Sequence, residues 1–166
     1  MLNQYEICID KNNKRYLETI AQFDLEDVNP NTNDIFDIMH ILNDNLKVGY
    51  METEHIYIIA CDYKGRMIGI YLNNIGKYNL TKIDLRTISL FLLLSGASKF
   101  IMVHNHPNNC SDYSQEDLDT TKTVEVMGQY IGIELIGSYV LTKDRYTNIL
   151  TNKTEELYYD WSDELC

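Results

Sequence analysis

Phe100-Ile101-Met102-Val103-His104-Asn105-His106-Pro107, followed by Ser114-Gln115-Glu116-Asp117, decides how this chain is read. Residues 100–103 form a short apolar strand that delivers His104 at its end. Side chains alternate along a strand, so His104 and His106 share one face. Two imidazoles so placed reach one ion at the roughly 2.0–2.1 Å that zinc requires. Asp117 follows His106 after ten intervening residues, room for the chain to turn over and offer a carboxylate as third ligand. Two histidines, one carboxylate and an open fourth position describe a catalytic zinc site rather than a structural one.

The flanking sequence supplies the frame. Ser114 reads as a helix N-cap with Asp117 at the third helical position and Gly132 closing the helix. Upstream, Asp84 reads as the N-cap of a mostly buried helix over 85–94 that stops at Gly96. Residues 56–61 read as a buried strand, 62–65 as a turn and 67–72 as the paired strand. A further strand is expected near 78–83. Apolar residues from Ile35 to Leu46 at helical spacing give a helix over 33–47. His40 within it is a packed or surface histidine rather than a ligand. Residues 1–10 alternate weakly, as an edge strand would, before a polar stretch and a loop that reaches Pro30. Residues 133–141 and 146–150 close the domain as a hairpin. Strands mixed with three helices predict an α/β or α+β sandwich with a mixed sheet. The expected division is an N-terminal extension over 1–30, one domain over 31–150, and an acidic, aromatic tail over 151–166.

Composition narrows the class. With 166 residues, 45% of them hydrophobic, the chain has enough to bury a core. No apolar run approaches the ~18 residues of a spanning helix. The first residues lack the charged and apolar regions of a secretory leader. Cys8, Cys61, Cys110 and Cys166 are widely spaced, with no CxxC pair to suggest a disulfide framework or a four-thiolate site. These features predict a cytoplasmic protein. The net charge of −11 is concentrated at the ends: residues 1–50 carry −5, residues 151–166 carry −4, and the middle only −2. No basic stripe exists to neutralise phosphates, so strong nucleic-acid binding is not expected.

A zinc hydrolase also needs a base for the attacking water. Glu54, immediately before the 56–61 strand, is the first choice, and Glu52 the alternative. Each candidate also has an ordinary reading. His-x-His pairs often lie on surfaces, acids favour the first turn of a helix, and serine caps need no catalysis. A cap and a catalytic role are compatible in Ser114, whose hydroxyl near a metal has a developing oxyanion to donate to. Cys110, four residues after His106, reads as a bystander rather than a competing soft ligand.

These residues together resemble the JAMM (JAB1/MPN/Mov34) metalloprotease motif, and more specifically the RadC-like JAB domain family, over roughly residues 30–150. The acid in Thr53-Glu54-His55-Ile56 and the segments Gly132-Ile133-Glu134-Leu135 and Asp144-Arg145-Tyr146 fit the same family. The resemblance implies a three-layer α/β/α, cytidine-deaminase-like fold. It implies zinc, one ion per chain, held by His104, His106 and Asp117, with Glu54 as general acid/base and Ser114 assisting the oxyanion. Pro107-Asn108-Asn109 stands where relatives usually carry Pro-Ser-Gly, and Leu85-Arg86-Thr87 where they carry Pro-Arg-Glu. Asparagine tolerates left-handed backbone, which allows the loop to keep its turn. The helix-hairpin-helix portion of longer RadC proteins has no counterpart in these residues, in keeping with the acidic balance.

The leading expectation is a zinc-dependent metallopeptidase or isopeptidase acting on a peptide or protein. The alternatives are a DNA-repair or mobile-element nucleic-acid protein, and a catalytically silent partner-binding domain that uses the tail 157–161. The adjacent letters His-Asn-His are not an HNH nuclease motif, whose residues spread along a ββα unit. A nucleoside deaminase needs His-x-Glu with Pro-Cys-x-x-Cys, and neither occurs.

Overall fold

A computed structural model describes residues 1–25, 31–76 and 83–157. Their strands form one mixed sheet. In chain order the elements are β1 (Leu2–Ile9), β2 (Arg15–Phe23), α1 (Ile35–Leu46), β3 (Glu54–Cys61), β4 (Met67–Gly76) and α2 (Leu85–Ser95). They continue as β5 (Lys99–Asn105), α3 (Gln115–Ile131), β6 (Glu134–Leu141), β7 (Arg145–Asn148) and β8 (Lys153–Glu156). The spatial order is β2-β1-β4-β3-β5-β6-β7-β8. The β1–β4 and β5–β6 pairs are parallel and the others antiparallel.

The alternation of the two central strands builds the layers. Tyr57, Ile59 and Cys61 of β3, with Ile101 and Val103 of β5, pack with Ile38, Met39 and Leu42 of α1. The intervening Ile56, Ile58, Ala60, Phe100 and Met102 pack instead with Ile88, Phe91 and Leu92 of α2 and Val124 of α3. Each large side chain so buried contributes about 1.5–3 kcal/mol, before entropy is set against it. The result is an α/β/α sandwich of the JAB/MPN type.

Local signals hold the helices in place. Asp84 accepts hydrogen bonds from the backbone N–H groups of Arg86 and Thr87, and α2 ends on Gly96 at φ 70°. Ser114 and Asp117 form a reciprocal capping box, and α3 ends on Gly132 at φ 73°. α3 is then tied to the sheet by a buried hydroxyl pair, Thr121 and Ser138, 2.8 Å apart.

Several expectations need correction. Residues 1–10 are not an edge: β1 lies between β2 and β4, and β2 is the outer strand. The first part of the stretch read as a loop is β2, joined to β1 by a hairpin in which Asp10 accepts from the backbone of Asn12 and Lys14. β2 is mostly exposed, so its sequence carries little of the alternation that marks a half-buried strand. The polar stretch 10–14 is the hairpin's turn. β4 extends to Gly76, and most of the strand expected near 78–83 lies outside the described residues. The start of the C-terminal tail is β8, paired antiparallel with β7. No described helix is long and apolar enough to cross a membrane.

Candidate metal centre

β5 and β3 run antiparallel with Ile56 opposite His104. Stepping two residues outward along each strand keeps the same face, and brings Glu54 opposite His106. The capping box sets Asp117 in the first turn of α3, which covers that face. Glu54, His104, His106 and Asp117 thereby offer ligand atoms that all lie within 4.8 Å of one another. They line an open pocket of about 240 Å³, together with Ile56, Met102, Pro107, Asn108, Cys110, Asp112, Ser114, Glu116 and Thr120.

The distances fit a metal. His104 Nε2 and His106 Nε2 are 3.2 Å apart. Asp117 Oδ1 lies 3.3 Å from His104 Nε2, and Oδ2 lies 3.6 Å from His106 Nε2. Ligands at the zinc distance on a tetrahedron stand roughly 3.3 Å apart. Three protein donors at that spacing, two nitrogen and one oxygen, suit a borderline-soft divalent ion such as zinc.

The surroundings fix the donors. A carbonyl only accepts, so the 2.9 Å contact between His106 Nδ1 and Cys110 O puts the ring proton on Nδ1 and leaves Nε2 a lone pair facing the cluster. Asn109 N–H donates to His106 O at 3.0 Å, closing the turn that brings Cys110 back. Asn109 takes φ 58°, so asparagine does occupy the left-handed position expected of it. Its Oδ1 accepts from Lys143 N–H at 3.1 Å, pinning the loop to the β6–β7 turn.

Charge follows the same geometry. Burial opposes ionisation of Asp117, but hydrogen bonds from His104 and His106, charge interaction with His104 and the Ser114 N–H hold its carboxyl well below the usual carboxylate range. Burial also opposes charging of His106. The Asp117 carboxylate, the Cys110 carbonyl and Glu54 outweigh it, and raise the imidazole above its ordinary value.

The other sequence candidates fall in distinct places. Ser114 N–H and Oγ–H both donate to Asp117 Oδ2, at 2.7 and 2.8 Å, while Ser114 Oγ accepts from Asp117 N–H at 3.1 Å. Ser114 lines the pocket, and its hydroxyl is engaged with the Asp117 carboxylate. Glu52 is exposed and does not line the pocket. Cys110 is exposed on the rim, and its thiol is not in the donor cluster. His40 packs edge-on against Phe36, 4.4 Å between ring centroids, far from this chemistry in the fold.

Sequence reasoning missed Asn105. It is fully buried, and its side chain bonds to the backbone of Met51, Thr53 and His55, the stretch leading into and along β3 around Glu54. Its place between the two histidines was the available signal, since the alternation that pairs them turns the middle residue to the other face.

A mixed sheet between helical layers, with a His-x-His strand end and a capping aspartate converging on one pocket, defines a JAB/MPN-type domain with a candidate metal centre. The RadC-like JAB domain matches residues 31–154, and the chain belongs to that family. Among its relatives, a UPF0758 protein of Desulfitobacterium hafniense is 26% identical over 122 residues, covering 74% of this chain and 53% of that protein. One from Carboxydothermus hydrogenoformans is 26% identical over 145 residues, covering 87% of this chain and 60% of that protein. One from Clostridium acetobutylicum is 30% identical over 96 residues, covering 58% and 42%. The chain thus spans about half the length of these relatives.

Proposed function

We propose that this chain is a zinc-dependent metallohydrolase of the JAMM type, cleaving an amide or isopeptide bond in a peptide or protein substrate in the cytoplasm. The convergence of Glu54, His104, His106 and Asp117 on one open pocket carries the reading. His104, His106 and Asp117 hold the ion. Zinc, when bound, acidifies the nucleophilic water and polarises the scissile carbonyl. Glu54, on the neighbouring strand, takes the proton from that water and hands it to the leaving amine. Ser114 steadies the ligand carboxylate, and its hydroxyl is near enough to turn toward an oxyanion.

The pocket's charge favours a peptide over a nucleic acid. Its lining contains four carboxylates and no lysine or arginine. A phosphate backbone meets repulsion there, whereas a neutral or cationic peptide does not.

The test begins with zinc per chain on the purified protein, beside His106→Ala. About one equivalent in the wild type, lost in the variant, supports the centre. A peptide and isopeptide library then follows, with Glu54→Gln as control, expected to retain zinc and lose all but a residual turnover. A protein that takes up no zinc, or a Glu54→Gln variant of full activity, sinks the assignment. Tight, salt-dependent DNA binding with no peptide cleavage would favour the nucleic-acid reading instead.

A further inference from the structure

Asn105 lies between the two histidines in sequence and on the opposite face of β5 in space. Its side chain has no solvent exposure. The β3–β5 backbone pairing ends at Ile56 and His104, two residues short of Glu54. On its other side Glu54 pairs with Gly76 of β4. Toward β5 the backbone ladder has run out, and the Asn105 amide takes its place. Asn105 Oδ1 accepts from His55 N–H at 2.7 Å, and Nδ2 donates to Thr53 O at 3.1 Å and Met51 O at 3.3 Å. Thr53 and His55 bracket Glu54, so one amide grips the backbone on both sides of that carboxylate. Both amide protons and the carbonyl are used, and only a primary amide supplies donors and acceptor together at that reach.

The geometry points to Asn105 as a positioning residue that fixes the Glu54 carboxylate relative to the two histidines of its own strand. The inference rests on Glu54 acting as the acid/base proposed above. One strand then serves both halves of the reaction. His104 and His106 present donors on one face, while Asn105, through the other face, sets the height of the group that moves the proton. Displacements near 1 Å at such a group cost about a hundredfold in rate, so a grip of this kind has a kinetic signature.

The test compares wild type with Asn105→Ala, and with Asn105→Ser should the first variant fail to fold. Amide hydrogen exchange at residues 53–55 in the metal-free protein is expected to accelerate at least about tenfold. Zinc content is expected to stay at about one equivalent per chain. On a cleaved peptide, kcat is expected to fall roughly tenfold to a hundredfold with KM within about twofold. Added to Glu54→Gln, the same substitution is expected to cause no further loss. A residue that merely supports the fold would lower the residual rate of Glu54→Gln as well. Unchanged exchange at 53–55, loss of zinc in parallel with activity, or a further drop in the double variant would each overturn the inference. The exchange and zinc arms decide the grip even where no peptide is turned over, which separates its failure from failure of the peptidase reading.

Discussion

His106 Nδ1 donates its proton to the carbonyl oxygen of Cys110, 2.9 Å away. The cysteine therefore orients His106 through its backbone, and its exposed thiol lies outside the donor cluster. Cys110→Ala should hold zinc within about twofold of wild-type affinity, since the orienting carbonyl survives. A competition titration with a chelating dye checks this. A tenfold tighter or weaker site in the variant would mean that the thiol reaches the metal.

Ser114 is a cap before it is anything else, because it exchanges hydrogen bonds with Asp117 in both directions. Ser114→Ala should lower stability by about 1 kcal/mol, read from denaturant midpoints at fixed m-value. Ser114→Thr keeps a capping hydroxyl and should recover most of that loss. If turnover recovers in the threonine variant along with stability, a hydroxyl at this position is what the site requires. Restored stability without restored turnover would argue for a steric demand around the serine.

The paired shifts at Asp117 and His106 predict a stability window for the metal-free protein. Asp117 is held below its ordinary 3.8, so its contribution is present above that value and fades as the solution becomes more acidic. His106 is raised above 6.5, so its contribution is complete below that value and fades as pH climbs through the raised one. Metal-free protein should therefore gain most from this pair between about pH 4 and 6.5. Zinc affinity should run the other way, weakening as His106 gains its proton. Thermal melts with and without zinc from pH 4 to 8 check both trends. Parallel curves with and without the metal would contradict them.

Asp112 and Glu116 are exposed on the pocket wall. Among the described residues, neither side chain has an ion-pair or hydrogen-bond partner. Two free carboxylates beside the centre should favour substrates with a lysine or arginine next to the scissile bond. Asp112→Asn combined with Glu116→Gln should lower kcat/KM for such peptides roughly threefold to tenfold, and leave neutral peptides unaffected. Raised salt should mimic the double variant in the wild type. Equal loss on neutral and cationic peptides would mean that these acids support the loop rather than select the substrate.

The parts of the molecule with strong local signals were legible in the sequence. Helix α2 was bounded by Asp84 and Gly96, α3 by Ser114 and Gly132, and the hairpin strands β3 and β4 by a polar turn. Buried strands, caps and glycine stops are written in a few adjacent residues, so they survive being read one window at a time. β2 was not legible, because an exposed outer strand draws its stability from its neighbour rather than from an apolar face of its own. β8 escaped for the same reason, with all four of its residues exposed. At the site, His104, His106, Asp117 and Glu54 were named from strand alternation, helix position and family likeness. Asn105 was given no role, because alternation turns it away from the histidines' face but does not say that it meets backbone some fifty residues earlier in the chain.

β3 and β5, which carry Glu54 and His104 and lead into His106, are the fourth and fifth of the eight described strands. Fraying of a sheet starts at its margins, where fewer bonds must break, and loses amplitude toward the middle. Here the margins are β2 and β8, three strands from the pair in each direction. Glu54, His104 and His106 are therefore carried where opening of the sheet is least frequent. What the strands leave unset is the pocket's outer wall, to which the 107–113 segment contributes Pro107, Asn108, Cys110 and Asp112.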